Sequence, residues 1–367
     1  MKTTYKIILL MICISLFSCT AVFGQSRKTE DCNCKEKEKK AKVKTSKKVK
    51  PKVLTVTTSL KKRGFGSNRV FKRGNDFTEK SIDVNSKVLV QLCVLRGKVK
   101  INGWKRKEVR AFIGNGGSLG FKVRQKAQES GKPTWVDVLG YDLKDRSGSR
   151  GNKCLSGDVI ELDVPVNTEV KIEGQESEIS VDSIRRAYVH NHGGSIFVDN
   201  VKDGVDARTH QGDVSLRRSN GRIYVSTTSG NVVAFKTDVN EIGDYFKAKS
   251  QSGAITLQSV EQRELEVRST SGTINYLGKL NSGGQYTFYT SNGSITLGIP
   301  KNSSFQATVS SSAGKFDSDI QLKDVDIDEK GGFQRITGRA GTGDSVLYLT
   351  TYNGSIRIRK IDPDPKP

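Results

Sequence analysis

Three histidines in 367 residues fall close together in one stretch, at His190, His192 and His210. Imidazoles at short spacing can hold Zn²⁺ or Cu²⁺, provided the fold supplies a third ligand. A second group is cationic. Arg208, Arg217, Lys249 and Arg268 recur at one position of a repeat, with His190 at its head; the contiguous row is either all four or, if Arg208 and Arg217 fall on different sides of the coil, Arg208, Lys249 and Arg268 only. Cations in such a row can hold an acidic polysaccharide, or can simply form a solvated face that discourages aggregation. Gly116-Gly117-Ser118-Leu119-Gly120 has the form of a nucleophile elbow, which needs a strand before it and a helix after it. FKVRQKAQESGK does not read as that helix, so a Gly-rich corner is expected. Asp324-Val325-Asp326-Ile327-Asp328 opens like a calcium loop. Glu329 stands where the loop needs Gly, and Arg335 where it needs Glu, so an acidic surface segment is expected. No catalytic residue and no cofactor is expected.

The elements that would position these side chains show in a glycine beat. In RTHQGDVSLRRSNGRIYVSTTSGNVVAFK the glycines are Gly212, Gly221 and Gly230. Gly194, Gly253, Gly272, Gly293, Gly314 and Gly354 carry the same pattern. Two and four residues after each glycine stand mostly apolar residues, such as Val214 and Leu216 or Ile255 and Leu257. Five residues before, Val189, Val225, Val267 and Phe288 match them, and polar residues fill the gaps. Alternation on both sides of a turn means two strands with one buried face. Asn or Ser before Gly suits a sharp turn with positive φ. The glycines are spaced 18, 19 or 21 residues apart along much of the series, which a plain hairpin meander does not explain. The pattern predicts an all-β, single-stranded β-solenoid of about 20 residues per rung, with two strands and two corners in each. The gap between Gly314 and Gly354 is read as two further steps. Val90, Leu92, Gly97, Val99 and Ile101 keep the beat early, as do Val170, Ile172, Ile179 and Val181 with Ser177 in place of Gly. Residues 122–158 look like a loop excursion between rungs.

Residues 1–24 read as a signal peptide, with Lys2 and Lys6 before the apolar run Ile7–Phe17 and cleavage before Gln25. Leu16-Phe17-Ser18-Cys19 offers the alternative of a lipidated Cys19. Residues 25–55 read as a Lys-rich disordered linker; segment 27–53 alone carries 12 Lys or Arg against 4 Asp or Glu. It is a spacer or an electrostatic tether to envelope polyanions. The solenoid is placed at 77–361 and a tail at 362–367. Cys93 and Cys154 either pair or remain free thiols.

The stretches FTEKSIDV, LRGKVKINGW, KEVRAFI, IELDVPVNTEVKI, NHGGSIFVDNV, TSGTINYL, SNGSITLGIP and TYNGSIRIRK resemble a bacterial adhesin-like family. It is a domain of unknown function with β-strand repeats and an auto-transporter adhesin head-like character. The resemblance implies an exported repeat protein with no enzymatic role to carry over. The expected function is a non-catalytic exported adhesin-like solenoid that binds or bridges at the cell envelope or surface, in periplasm, on the surface or secreted. Its expected partner is an envelope component such as acidic polysaccharide. Membrane contact is expected only through Cys19 lipidation or the Lys-rich segment. Nucleic acid is not expected, because export and the lack of an aromatic-interleaved motif argue against it. A lyase-like β-helix enzyme and a purely structural scaffold are the competing readings.

Overall fold

The computed structural model describes residues 77–141 and 154–361. The signal segment with Cys19, the Lys-rich linker, and residues 362–367 lie outside the described residues. Every regular element among those described is a strand. The chain begins with β1 (Phe77–Asp83), β2 (Leu89–Trp104), β3 (Glu108–Gly114), β4 (Ser118–Lys126) and β5 (Pro133–Tyr141). It resumes with β6 (Leu155–Pro165) and β7 (Glu169–Asp182). From there two-strand rungs follow in turn. They are β8 (Arg186–Gly193) with β9 (Ile196–Asp199), β10 (Val205–Gln211) with β11 (Val214–Asn220), and β12 (Ile223–Ser229) with β13 (Val232–Asp238). Next are β14 (Tyr245–Ser252) with β15 (Ile255–Val260), β16 (Glu264–Ser271) with β17 (Ile274–Leu277), and β18 (Gln285–Asn292) with β19 (Ile295–Pro300).

Each rung stacks on the next in parallel, and the stack has two faces. Face A runs β8, β10, β12, β14, β16, β18. Face B runs β9, β11, β13, β15, β17, β19. The long strands β2 and β7 each form a whole rung, bending at Gly97 and at its register partner Ser177. The predicted solenoid is therefore present, and the glycine beat is its half-turn: Gly212 and Gly230 share one corner and Gly221 lies at the other.

The inward residues make continuous columns. On face B, Ile179, Ile196, Val214, Val232, Ile255, Ile274, Ile295 and Ile356 follow one another in register, all fully buried. Burying each such side chain contributes about 1.5–3 kcal/mol relative to leaving it in water. A shared column of β-branched residues thus holds rung to rung, because no single rung has a core of its own.

The corner shows a feature not predicted from the sequence. Three residues before the corner glycine stands a small polar residue that points inward: Asn191, Thr209, Thr227, Ser250, Ser269, Thr290, Ser311 and Thr351, all buried. Most of their side chains donate to the carbonyl of a neighbouring corner glycine. Thr227 Oγ1 reaches the Gly212 oxygen at 2.8 Å, Ser250 Oγ the Gly230 oxygen at 3.1 Å, and Thr351 Oγ1 the Gly293 oxygen at 2.9 Å. The glycine N–H is taken by the adjacent rung, as from Gly230 N to Ser252 O at 2.9 Å. A buried turn would otherwise strand that carbonyl.

Both ends of the stack depart from chain order. After β20 (Phe305–Ala313) and β21 (Phe316–Ser318) the chain forms the hairpin β22 (Lys323–Lys330) and β23 (Phe333–Ala340). It then returns as β24 (Ser345–Asn353) and β25 (Ile356–Ile361). β24 lies between β18 and β20, and β25 between β19 and β21. The expectation of two successive steps from Gly314 to Gly354 is thereby corrected: Gly354 sits between Gly293 and Gly314, in contact with the first and touched by the second. The physical reason is that residues 319–344 leave the stack to make the antiparallel hairpin, so they add no rung. At the other end β2 is enclosed in the same way, between β7 and the rung formed by β5 and β6.

The expected excursion at 122–158 is also corrected in part. Its PTWVDVL segment is β5, whose Val136 and Val138 are fully buried, and its last residues start β6. Alternation over so few residues was too short to stand out among Gly, Lys and Ser. Residues 142–153 of it lie outside the described residues. Cys93 and Cys154 are joined by a disulfide with Cα atoms 4.6 Å apart, which settles the open choice between pairing and free thiols.

Candidate functional site

The four cations do not form one strip. Arg208, Lys249 and Arg268 lie on face A, and Arg217 lies on face B. In register across face A the row reads Glu173, His190, Arg208, Ser226, Lys249, Arg268, Tyr289. Ser226 therefore separates Arg208 from Lys249, and the contiguous cationic row expected from parity is interrupted. Ser226 stands four residues before its own corner glycine, Gly230, as Arg208 and Lys249 stand before Gly212 and Gly253, so the interruption is a change of residue at one register position.

Nor are the arginines bare. Arg208 grips Asp206 with both arms of its guanidinium, at 2.6 Å each. That hydrogen bond, and then the charge of Asp206, holds Arg208 above its usual pKa against partial desolvation. Arg268 donates to Glu266 at 2.5 Å. Desolvation pushes the Glu266 carboxyl up, yet the Arg268 hydrogen bond and the charges of Arg268 and Lys247 hold it below the glutamate range. Both pairs are D-x-R or E-x-R, two residues apart on one strand and so on one face.

The neighbouring outward row brings in aromatic rings that sequence reasoning missed. It reads Lys171, Tyr188, Asp206, Tyr224, Lys247, Glu266. The guanidinium of Arg208 lies 4.6 Å from the centre of the Tyr224 ring, and the ammonium of Lys249 lies 5.8 Å from the same ring. Arg268 lies 5.7 Å from the ring of Tyr289. Beside Tyr224 the face drops into a basin of about 440 Å³, with Tyr188, Tyr224 and Tyr245 as its rings and Arg186, Arg222 and Asp244 among its charges. The basin has a fixed rim. The nearly buried Asp244 carboxylate accepts the backbone N–H groups of Asn240 and Glu241 at 2.8 and 2.9 Å, which folds the loop ahead of β14. Rings plus paired charges on a rigid sheet suit a ligand that offers both C–H faces and carboxylates.

The sequence pattern of Toastrack DUF4097 matches residues 158–359, more than half of the chain. The chain belongs to the Toastrack DUF4097 family. Two crystal structures are similar in outline to this Toastrack chain. One is of a candidate cell adhesion protein from Clostridium sporogenes, 12% identical, which covers 78% of this chain and 100% of its own with a TM-score of 0.23. The other is of a candidate adhesin from Bacteroides fragilis, 9% identical, which covers 78% of this chain and 97% of its own, also with a TM-score of 0.23. No curated protein matches.

The Toastrack stack brings His192 and His210 together on adjacent rungs, with ring centres 4.9 Å apart and edge to face. His190 stands apart from that pair, between the carboxylates of Glu173 and Asp206 at 3.6 Å each. Among the described residues no three His, Cys, Asp or Glu side chains converge as a metal site. Ser118 begins β4, which runs straight into a hairpin with β5, so no helix follows the Gly-rich motif. The Asp324–Asp328 segment lies in the edge strand β22 and not in a metal loop.

Arg217 has a structural task on face B. It donates to Asp199 at 2.6 Å, and Arg218 donates to the same carboxylate at 2.9 and 2.7 Å. The Asp199 side chain is only 18% exposed. The Arg218 hydrogen bond, followed by that of Arg217 and both charges, holds its carboxyl below the usual aspartate range despite partial desolvation. A depressed folded pKa stabilises the fold above the ordinary aspartate range, and that stability is lost as pH falls through it. Asp199→Asn is expected to cost about 1 kcal/mol near neutral pH. It should also flatten the acid limb of the urea midpoint below about pH 5. An unchanged acid limb would refute this linkage.

Proposed function

We propose that this Toastrack protein is exported and non-catalytic, and that it binds an acidic polysaccharide of the cell envelope or surface through face A. The observation that carries the reading is Tyr224, a ring flanked by Arg208 and Lys249 beside a rigid basin. A sugar can lay its C–H face on the tyrosine while its carboxylates exchange into the two cations. Tyr188 and Tyr224 stand two rungs apart, about 9.6 Å at the usual strand spacing, so an extended chain could touch both. Export is supported by the signal-like start and by a disulfide, which persists in oxidising compartments. The lyase-like alternative is disfavoured because Arg208 and Arg268 are already tied to carboxylates on their own strands.

Titration of the mature protein with polygalacturonate and with a neutral glucan tests this. Binding of the acidic polymer should weaken with salt. Tyr224→Ala should lower its affinity roughly tenfold, the worth of about 1–2 kcal/mol of ring contact. Absence of binding to either polymer at low ionic strength would remove the reading, and release of unsaturated uronate products would replace it with a lyase.

A further inference from the structure

Face A ends in two strands that pair on one side only among the described residues. At the N-terminal end β4 is bonded to β5, and at the C-terminal end β22 is bonded to β23. A free edge presents unpaired N–H and C=O groups to any strand that can reach them. These two edges are opposite in chemistry. β4 reads SLGFKVRQK, with Lys122, Arg124 and Lys126 and no carboxylate. β22 reads KDVDIDEK, with Asp324, Asp326, Asp328 and Glu329 against two lysines.

The charges also lie on matching sides. Phe121 packs against the core and Val123 pairs with the buried Val136, so Lys122 points outward. Ile327 pairs with Ile336, which pairs in turn with the buried Val309, so Asp326 and Asp328 point outward. On the inner side, Val325 and Ile327 are 50% and 56% exposed, half-open apolar surface on an edge strand. Some of the charges have partners in their own chain: Arg124 bonds Asp137, Asp324 bonds Arg339 and Asp328 bonds Lys330.

Direction fits as well. β22 runs with the rungs of face A, two antiparallel steps from β20, and β4 runs against them, one such step from β5. Two copies stacked with their axes in the same sense would therefore bring β22 of one against β4 of the next as an antiparallel pair. Acid would face base outside, and Ile327 would face Phe121 or Val123 inside. The flipped arrangements put β22 on β22 or β4 on β4, where like charges oppose each other.

We infer that a second copy of this chain docks head to tail, β22 on β4, so that face A continues from one molecule into the next. Such a contact is heterologous and leaves both outer ends open, so it makes a series and not a closed pair.

Sedimentation of the full mature chain at low and high salt tests this with two charge-reversed variants. One carries Lys122→Glu and Lys126→Glu; the other carries Asp326→Lys and Asp328→Lys. The wild type should form an open series of oligomers that salt weakens at least tenfold. Each variant alone should be monomeric with an unchanged circular dichroism spectrum, and an equimolar mixture should associate again, because each variant then supplies the edge that the other needs. Ile327→Glu, which leaves every charge pair in place, should also weaken association, and it stands in if a reversed variant fails to fold. A monomeric wild type, a closed dimer, variants that associate like the wild type, or a mixture that stays monomeric would each overturn the inference.

Discussion

Gly253→Ala is expected to cost about 3 kcal/mol or more, whereas Gly131→Ala should cost about 1 kcal/mol. Both glycines have positive φ, +139° and +62°. They differ in what surrounds them. A Cβ on Gly131 would meet nothing, while one on Gly253 would meet the carbonyl oxygen of Gly230 at less than 3.0 Å. The corner glycines are stacked backbone on backbone, so a methyl group at one corner must pry two rungs apart. That movement also disturbs the Ser250 hydroxyl bonded to the Gly230 carbonyl and the Gly253 N–H bonded to Ser271. Urea unfolding of the two variants, followed by circular dichroism, reads the difference. Equal shifts would mean that backbone preference alone sets the cost and that the stacking contact is irrelevant.

Removing the disulfide, by Cys93→Ser with Cys154→Ser, should cost about 4 kcal/mol on the chain-entropy scale for a loop of this length. The bridge joins residues 61 apart and encloses β3, β4 and β5. Its position gives it a second importance. The rung of β5 and β6 lies outside β2, so the chain must leave the stack and come back beneath a strand already placed. Without the bridge the open form of that loop gains entropy, and the N-terminal rungs should open before the middle of the stack. Proteolysis in the presence and absence of a reductant would show the change as early cleavage within β3 to β5. If reduced and oxidised protein share one unfolding midpoint, the bridge is not stabilising.

The middle of the fold was legible because its physics is local. Val214, Leu216, Val232 and Ala234 declare an inward face by spacing alone, and Gly230 declares the corner between strands. The inward hydroxyls were visible too, since Thr209, Thr227 and Ser250 hold the same parity as the apolar residues. They went unread because a polar residue on a strand suggests solvent until its carbonyl partner is known. The order of the rungs at the two ends left no mark in the repeat. A repeat says which residues stack, not which copy they stack on, so Gly354 looked like a distant rung when it touches Gly293. The site was half legible. Arg208 and Arg268 point outward as parity required, and Asp206 and Glu266 stand two residues before them. Tyr224 belongs to the next rung, so its place beside Arg208 depends on the register between strands, which no single segment contains.

The same interleaving governs how the molecule takes a load. An ordinary solenoid can be peeled from its last rung, one ladder of bonds at a time. Here the last of the described strands is β25, which is bonded to β19 on one edge and to β21 on the other. β24 is held likewise between β18 and β20. A pull on residue 361 meets the β19 ladder first, but freeing Ile356–Ile358 must break two ladders together, and the outermost rung is not the one that the force reaches first. For an adhesin-like chain, the end of the stack is a clamp.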